Sequence, residues 1–211
     1  MKERLASSLG RNDEHPNIEL AEEIVRRKDT AGLAQVVALL RDKNQALAGD
    51  AIKVIYEVAE RDASLVAGYA PDFIGLLQSK NNRLVWGAMY ALARIAPLKP
   101  EIIFAHLDEV LAAYEKGSVI TVDAAVSVFA CVARADAGYE ERLFPLIISH
   151  LEKCRAKEIA QHAERAFVCV AGHNKEAFVD VLERRSGELS ETQRKRVNKL
   201  LKLIREERYA Q

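Results

Sequence analysis

Glycine and proline are scarce, 10 and 5 in 211 residues, and aromatic side chains make up only 6% of the chain. β sandwiches and barrels use glycine at their hairpin turns and rings on their strands, so this shortage disfavours them. Cysteine is scarcer still. Cys131, Cys154 and Cys169 make an odd number in a chain large enough to need no covalent staples. No pair among them has zinc-ligand spacing, so the expectation is reduced thiols in a cytoplasmic protein, with no metal site and no cofactor. An excess of one charge is missing too: 31 Lys and Arg face 31 Asp and Glu. That balance excludes a polycation built for nucleic acid and an acidic solvating tail. No apolar run approaches the roughly 18 residues that span a bilayer. The opening MKERLASSLGRNDEHP carries no apolar stretch of signal-peptide length, so neither export nor a membrane partner is expected. What is present is 49% hydrophobic and 29% charged residues, enough to bury a large core, with helix as the default element.

An internal repeat organises the chain. LLRDKNQALAGDA, Leu39 to Ala51, lies without a gap over LLQSKNNRLVWGA, Leu76 to Ala88, at an offset of 37 residues. The offset then persists as apolar columns: Val36, Phe73, Val110 and Ile147; Val37, Ile74, Leu111 and Ile148; Leu40, Leu77, Tyr114 and Leu151. A second set follows the same step: Ala51, Ala88 and Ala125; Ile55, Leu92 and Phe129; Val58, Ile95 and Val132; Ala59, Ala96 and Ala133. One insertion moves the fourth copy to Ala163, Phe167, Val170 and Ala171. A period of this size marks a solenoid of stacked units.

Punctuation repeats with the columns. Asn44, Asn81 and Ser118 each precede a second helix, where an oxygen can accept from an orphan N–H of the first turn. Pro71 and Pro145 sit early in the first helix of their copies, where a lost donor is cheap or a slight kink useful. Lys116-Gly117 reads as a helix end, and Ser190 with Gln193 as a capping box. The pattern predicts helices near 17–28, 32–42, 45–60, 64–79, 82–96, 100–116, 119–134, 138–153, 156–171, 174–185 and 191–207. With short connections, consecutive helices are antiparallel neighbours, and a 37-residue pair covers its apolar stripe only by stacking on the next. The expected organisation is one domain over 1–211: a flexible segment 1–16, a capping helix within 17–31, and repeats over 32–207.

Tyr69 to Ala96, YAPDFIGLLQSKNNRLVWGAMYALARIA, resembles a HEAT repeat: a helix containing Pro, a polar turn, then a second helix of apolar residues with small alanines. The resemblance covers about five helix pairs. It departs from the family where HEAT turns commonly carry Asp, because here the turns carry Asn44 and Asn81. The position just inside the second helix, commonly Arg, holds Ala48, Val85 and Val122. The resemblance implies an all-α fold, an α-α superhelix forming a right-handed solenoid of HEAT- or armadillo-like pairs, with the second helix of each pair lining a concave face.

Helical phase says which residues point into that face. In the second copy the core stripe is Leu84, Ala88, Leu92 and Ile95, and the opposite direction is Trp86 and Tyr90, spaced i, i+4 and flanked by Arg83 and Arg94. Equivalent positions hold Lys53 in the first copy, Asp123 and Ser127 in the third, and Gln161 and Arg165 in the fourth, with Asp50, Glu57 and His162 near the rim. Trp and Tyr beside arginines match the composition of interface hot spots. The competing reading is that Trp86 folds against a neighbouring repeat as core. The candidate partner-binding residues are therefore Trp86, Tyr90, Arg83, Arg94, Lys53, Asp123 and Arg165. Their mixed charge suits a protein or peptide better than a phosphate backbone.

The carboxyl-terminal helix is basic, with Arg194, Lys195, Arg196, Lys199, Lys202, Arg205 and Arg208 against Glu206 and Glu207. A terminal repeat needs a polar outer face for solubility, which accounts for most of this. Catalytic constellations are absent from the sequence: no glycine-rich phosphate loop, no HExxH pair, no nucleophile elbow. Cys131 and Cys169 share a repeat phase on adjacent helices, with His162 in the same region, but spacing places no third group beside them. The expected function is a non-catalytic scaffold binding a protein or peptide segment in its groove. One alternative is nucleic-acid binding of the HEAT-like DNA glycosylase type, and another is a structural subunit that self-associates through the groove. The oligomeric state is left open.

Overall fold

The computed structural model describes residues 1–209. Its elements, in chain order, are α1 (His15–Arg27), α2 (Thr30–Ala38), α3 (Gln45–Arg61), α4 (Ala63–Val66), α5 (Ala70–Leu76), α6 (Asn82–Ile95), α7 (Pro100–Ala105), α8 (Leu107–Lys116), α9 (Val119–Ala135), α10 (Ala137–Lys153), α11 (Ala156–Ala166), α12 (Lys175–Arg184) and α13 (Glu191–Arg205). Short 3-10 turns extend several of them, and no strand occurs among the described residues. The chain divides into two compact units, Met1–Ala125 and Val126 onward, with the division inside α9. Cohesion in a repeat array is local, pair on neighbouring pair, so an array has no single centre.

The columns of the repeat are the core. Val36, Phe73 and Val110 are fully buried, and so are Ala51, Ala88, Ala125, Ile55, Leu92, Val58 and Ile95. The polar punctuation acts as the spacing requires. Asn44 Oδ1 accepts from the Ala46 N–H at 3.0 Å and Asn81 Oδ1 from Arg83 N–H at 3.0 Å. The Ser190 and Gln193 capping box closes from both sides. Gly117 ends α8 with φ −77°, so no left-handed turn requires it. What requires it is crowding: a Cβ there would lie 2.4 Å from the Ala113 carbonyl oxygen and 2.6 Å from Thr121 Cγ2.

Three expectations change. The stretch 64–79 is α4, a 3-10 turn and α5, with Pro71 in the first turn of α5, where its missing N–H costs no helical bond. The stretch 100–116 breaks at His106 (φ −116°, ψ 30°). Nothing in the local sequence accounts for that break. Segment 1–16, expected to be flexible, is anchored. Leu5 and Ala6 are buried, the Ala6 N–H donates to Asn17 Oδ1 at 3.0 Å, and the Ser7 N–H donates to Asp50 at 2.8 Å. Asn17 Nδ2 donates to the other Asp50 oxygen at 2.9 Å. The buried carboxylate of Asp50 needs donors, and the segment supplies one of them.

Candidate functional site

In the unit Met1–Ala125, α1 packs on α3, and α3 on α6. Gly87 lets α3 and α6 approach closely, since a Cβ there would meet Ile52 Cγ1 at 2.5 Å. This close pairing carries the rings. Trp86 and Tyr90 leave α6 away from its buried stripe of Leu84, Ala88, Leu92 and Ile95. Neither points freely into solvent, as phase alone suggested; both are half-buried. The reason is Tyr56 on α3, whose ring centroid lies 5.4 Å from Trp86 and 5.4 Å from Tyr90, tilted against one and edge-on to the other. Such tilted arrangements are the favoured geometries for aromatic pairs. The sequence reading missed Tyr56, which lies outside the repeat positions of Trp86 and Tyr90. Its signal was its place one helical turn after Lys53 on the same helix.

The charged neighbours are already paired. Arg94 lies over the Tyr90 ring, 4.5 Å from its centroid, and donates to Tyr90 Oη at 2.8 Å and to Glu60. Tyr90 Oη in turn donates to Glu60 at 3.1 Å. Lys53 stands 4.7 Å from the Tyr56 centroid and is bonded to Glu57 at 2.7 Å and Glu14 at 3.1 Å. Arg61 pairs with Glu57 and with Glu22 at 3.0 Å, and Arg83 with Glu14 at 2.6 Å. Lys53 is therefore buried, and Lys53 and Arg83 are engaged by the amino-terminal segment rather than offered to a ligand.

Tyr56, Tyr90, Lys53 and Glu57 are all shifted away from neutrality. Burial, opposed by Arg94, raises the Tyr90 phenol, and burial, opposed by Lys53, raises the Tyr56 phenol. Burial disfavours the Lys53 cation, yet bonds to Glu57, Tyr56 and Glu14 leave its ammonium above the usual lysine value. Burial also works against the Glu57 carboxylate, but bonds from Lys53 and Arg61 hold its carboxyl below the usual range. Such a face can stack, cover apolar area and attract cations over its rings. It is poorly suited to proton transfer.

Asp123 lies half-buried on α9 in the same unit, whereas Arg165 belongs to the unit beginning at Val126, where it donates to Ser127 Oγ at 2.9 Å. His162, expected near a rim, is 1% exposed. Its Nδ1 lies 2.8 Å from Nε2 of buried His150, with Cys154 beside both. Burial, then the neighbouring His162, lowers His150 to about 4. Burial and Glu140 push the Cys169 thiol up to about 12, which leaves it unreactive at neutral pH. On α13, Lys195 pairs with Glu191, Arg196 with Glu164, Lys202 with Glu206 and Arg205 with Glu183, so much of its positive charge is locally balanced.

Among the described residues no helix is long and apolar enough to cross a membrane. No protein-family model matches the chain, and no curated protein matches it. Solved structures do. A designed armadillo repeat protein in complex with the peptide (KR)4 is similar at 18% identity and a TM-score of 0.71, over 90% of this chain and 90% of that one. A computationally designed armadillo repeat protein for modular peptide recognition gives 18% and 0.67, over 89% and 91%. An engineered protein aligns over 97% of this chain and 98% of its own at 16% identity and a TM-score of 0.69. With the buried columns at a 37-residue step, these likenesses show that the chain has the all-α superhelical repeat fold of the HEAT and armadillo kind.

Proposed function

We propose that the protein is a non-catalytic scaffold that docks a protein or peptide segment on the ring cluster of Tyr56, Trp86 and Tyr90. The observation that carries this reading is the cluster itself: three rings from two helices, half-buried, pre-packed against one another and bordered by ion pairs that are already satisfied. Rings fixed in place lose little entropy when a partner covers them, and an aromatic centre inside a polar rim is the usual anatomy of a hot spot. The designed relatives of the fold, one solved with a peptide and another made for peptide recognition, support a partner of this kind. Asp123, in the same unit as the rings, is proposed as a peripheral contact. Lys53, Arg83 and Arg94 are proposed to set the charge register around the rings, acting through their carboxylate partners.

The test uses peptides selected for binding to the full chain, with affinity measured by calorimetry. The double variant Trp86→Ala, Tyr90→Ala, shown by circular dichroism to be folded, should bind at least roughly tenfold more weakly, as expected for hot-spot truncation. Equal affinity for the variant and the parent overturns the proposal.

A further inference from the structure

The unit beginning at Val126 holds a cluster of its own. His150 sits in the last turn of α10, and Cys154 is the residue that caps that helix. At a spacing of i, i+4 the two side chains share one helix face. After a two-residue turn α11 begins, and it brings His162 back against them. His150 and His162 are both buried, and their facing ring nitrogens are 2.8 Å apart. One donor atom from each of the three residues lies within 4.8 Å of the other two. The cap is held rigidly: Arg185 donates to the carbonyls of Leu151 and Cys154, at 2.7 Å each, and its guanidinium stands 3.8 Å from Cys154 Sγ.

The facing nitrogens of His150 and His162, 2.8 Å apart, form a hydrogen-bonded pair in which one ring donates and the other accepts. With the bridging proton on the far nitrogen of its own ring, both facing nitrogens present lone pairs, and the Cys154 sulfur lies within 4.8 Å of a ring nitrogen of each histidine. The set of two imidazoles and one thiolate is the borderline-soft donor set that Zn2+ prefers. The bonds it needs, about 2.0 to 2.1 Å to nitrogen and about 2.3 Å to sulfur, require the facing nitrogens to part by about half an ångström and the sulfur to stand about 3.5 Å from each.

The geometry points to a binding site for one Zn2+ ion held by His150, Cys154 and His162, with water in the fourth position on the half-buried Cys154 side. Uptake exchanges the His150–His162 hydrogen bond, the Cys154 S–H bond with its contact to the Leu151 carbonyl, and all but one of the ion's waters for three metal–ligand bonds. The ring proton is retained as a tautomer, and the Cys154 proton leaves to solvent. The Arg185 guanidinium, 3.8 Å from Sγ, is placed to donate to the metal-bound sulfur. An ion at this place ties the end of α10 to the middle of α11.

The test is titration of the full, chelator-treated chain with Zn2+ and, as a spectroscopic substitute, Co2+. The result expected is saturable one-to-one uptake, release of about one proton per ion, and a thiolate-to-cobalt charge-transfer band. Cys154→Ser, a nearly isosteric change at a half-buried position, should abolish the band and weaken binding roughly 100-fold or more, while Cys131→Ser leaves both unchanged. His162→Gln should weaken binding to a similar degree, with circular dichroism confirming the fold. No saturable uptake, or uptake that survives both Cys154→Ser and His162→Gln, overturns the site and shows adventitious binding only.

Discussion

Glu57 shows how single side chains set the character of the ring face. It accepts from Lys53 at 2.7 Å and from Arg61, and those bonds outweigh burial to hold its carboxyl below the usual range. A folded carboxyl more acidic than its unfolded counterpart contributes stability that is fully present above the unfolded value. That contribution is lost as pH falls through the folded value. Denaturant unfolding of the parent and of Glu57→Gln should therefore differ by about 1 kcal/mol near pH 7, the scale of a partly screened charged pair, and the two should converge as pH falls to about 3. A difference that is constant over this range would mean that the ionic bonds of Glu57 contribute nothing. At this scale the sequence was least informative. Helical phase put Trp86 and Tyr90 on the side of α6 away from its core stripe, but it gave no sign of Tyr56, which joins the rings, or of Glu14, which occupies Lys53 and Arg83. Phase reports direction from one helix axis, and both of these contacts are made between segments far apart in sequence.

The helices themselves were legible where the repeat and its caps agree. Asn44 and Asn81 open α3 and α6 where their spacing requires, and the columns through Val36, Phe73 and Val110 are sealed. The break at His106 was not, because no residue there signals it. Glycine separates two roles that sequence alone cannot distinguish. Gly87 is a contact point between α3 and α6, where a Cβ would come 2.5 Å from Ile52 Cγ1, while Gly75 on α5 has nothing within 4 Å. Gly75→Ala should stabilise the protein by about 1 kcal/mol through helix propensity alone. Gly87→Ala gains the same propensity but must push apart two packed helices, an overpacking cost of about 1 to 3 kcal/mol, so it should leave the protein no more stable than the parent or less so. Thermal unfolding of the two variants side by side checks the pair. Equal stabilisation by both would mean that α3 and α6 are not in close contact.

For the whole molecule, the 37-residue step carried the architecture. A repeat of that length can cover its apolar stripe only by stacking, and the structural likeness across nearly the full chain agrees. The fold positions the α3 and α6 ring cluster but does not by itself say what covers it, since one architecture serves many partners. The central claim is that Trp86, with Tyr56 and Tyr90, is that docking point, and the chain offers a direct reporter because Trp86 is its only tryptophan. Its indole N–H gives a single, unambiguous resonance in a nitrogen–proton correlation spectrum. Titration with a peptide selected for binding should shift or broaden that resonance in step with saturation. Saturation by such a peptide with the indole signal unmoved, while backbone amides elsewhere respond, would contradict the account.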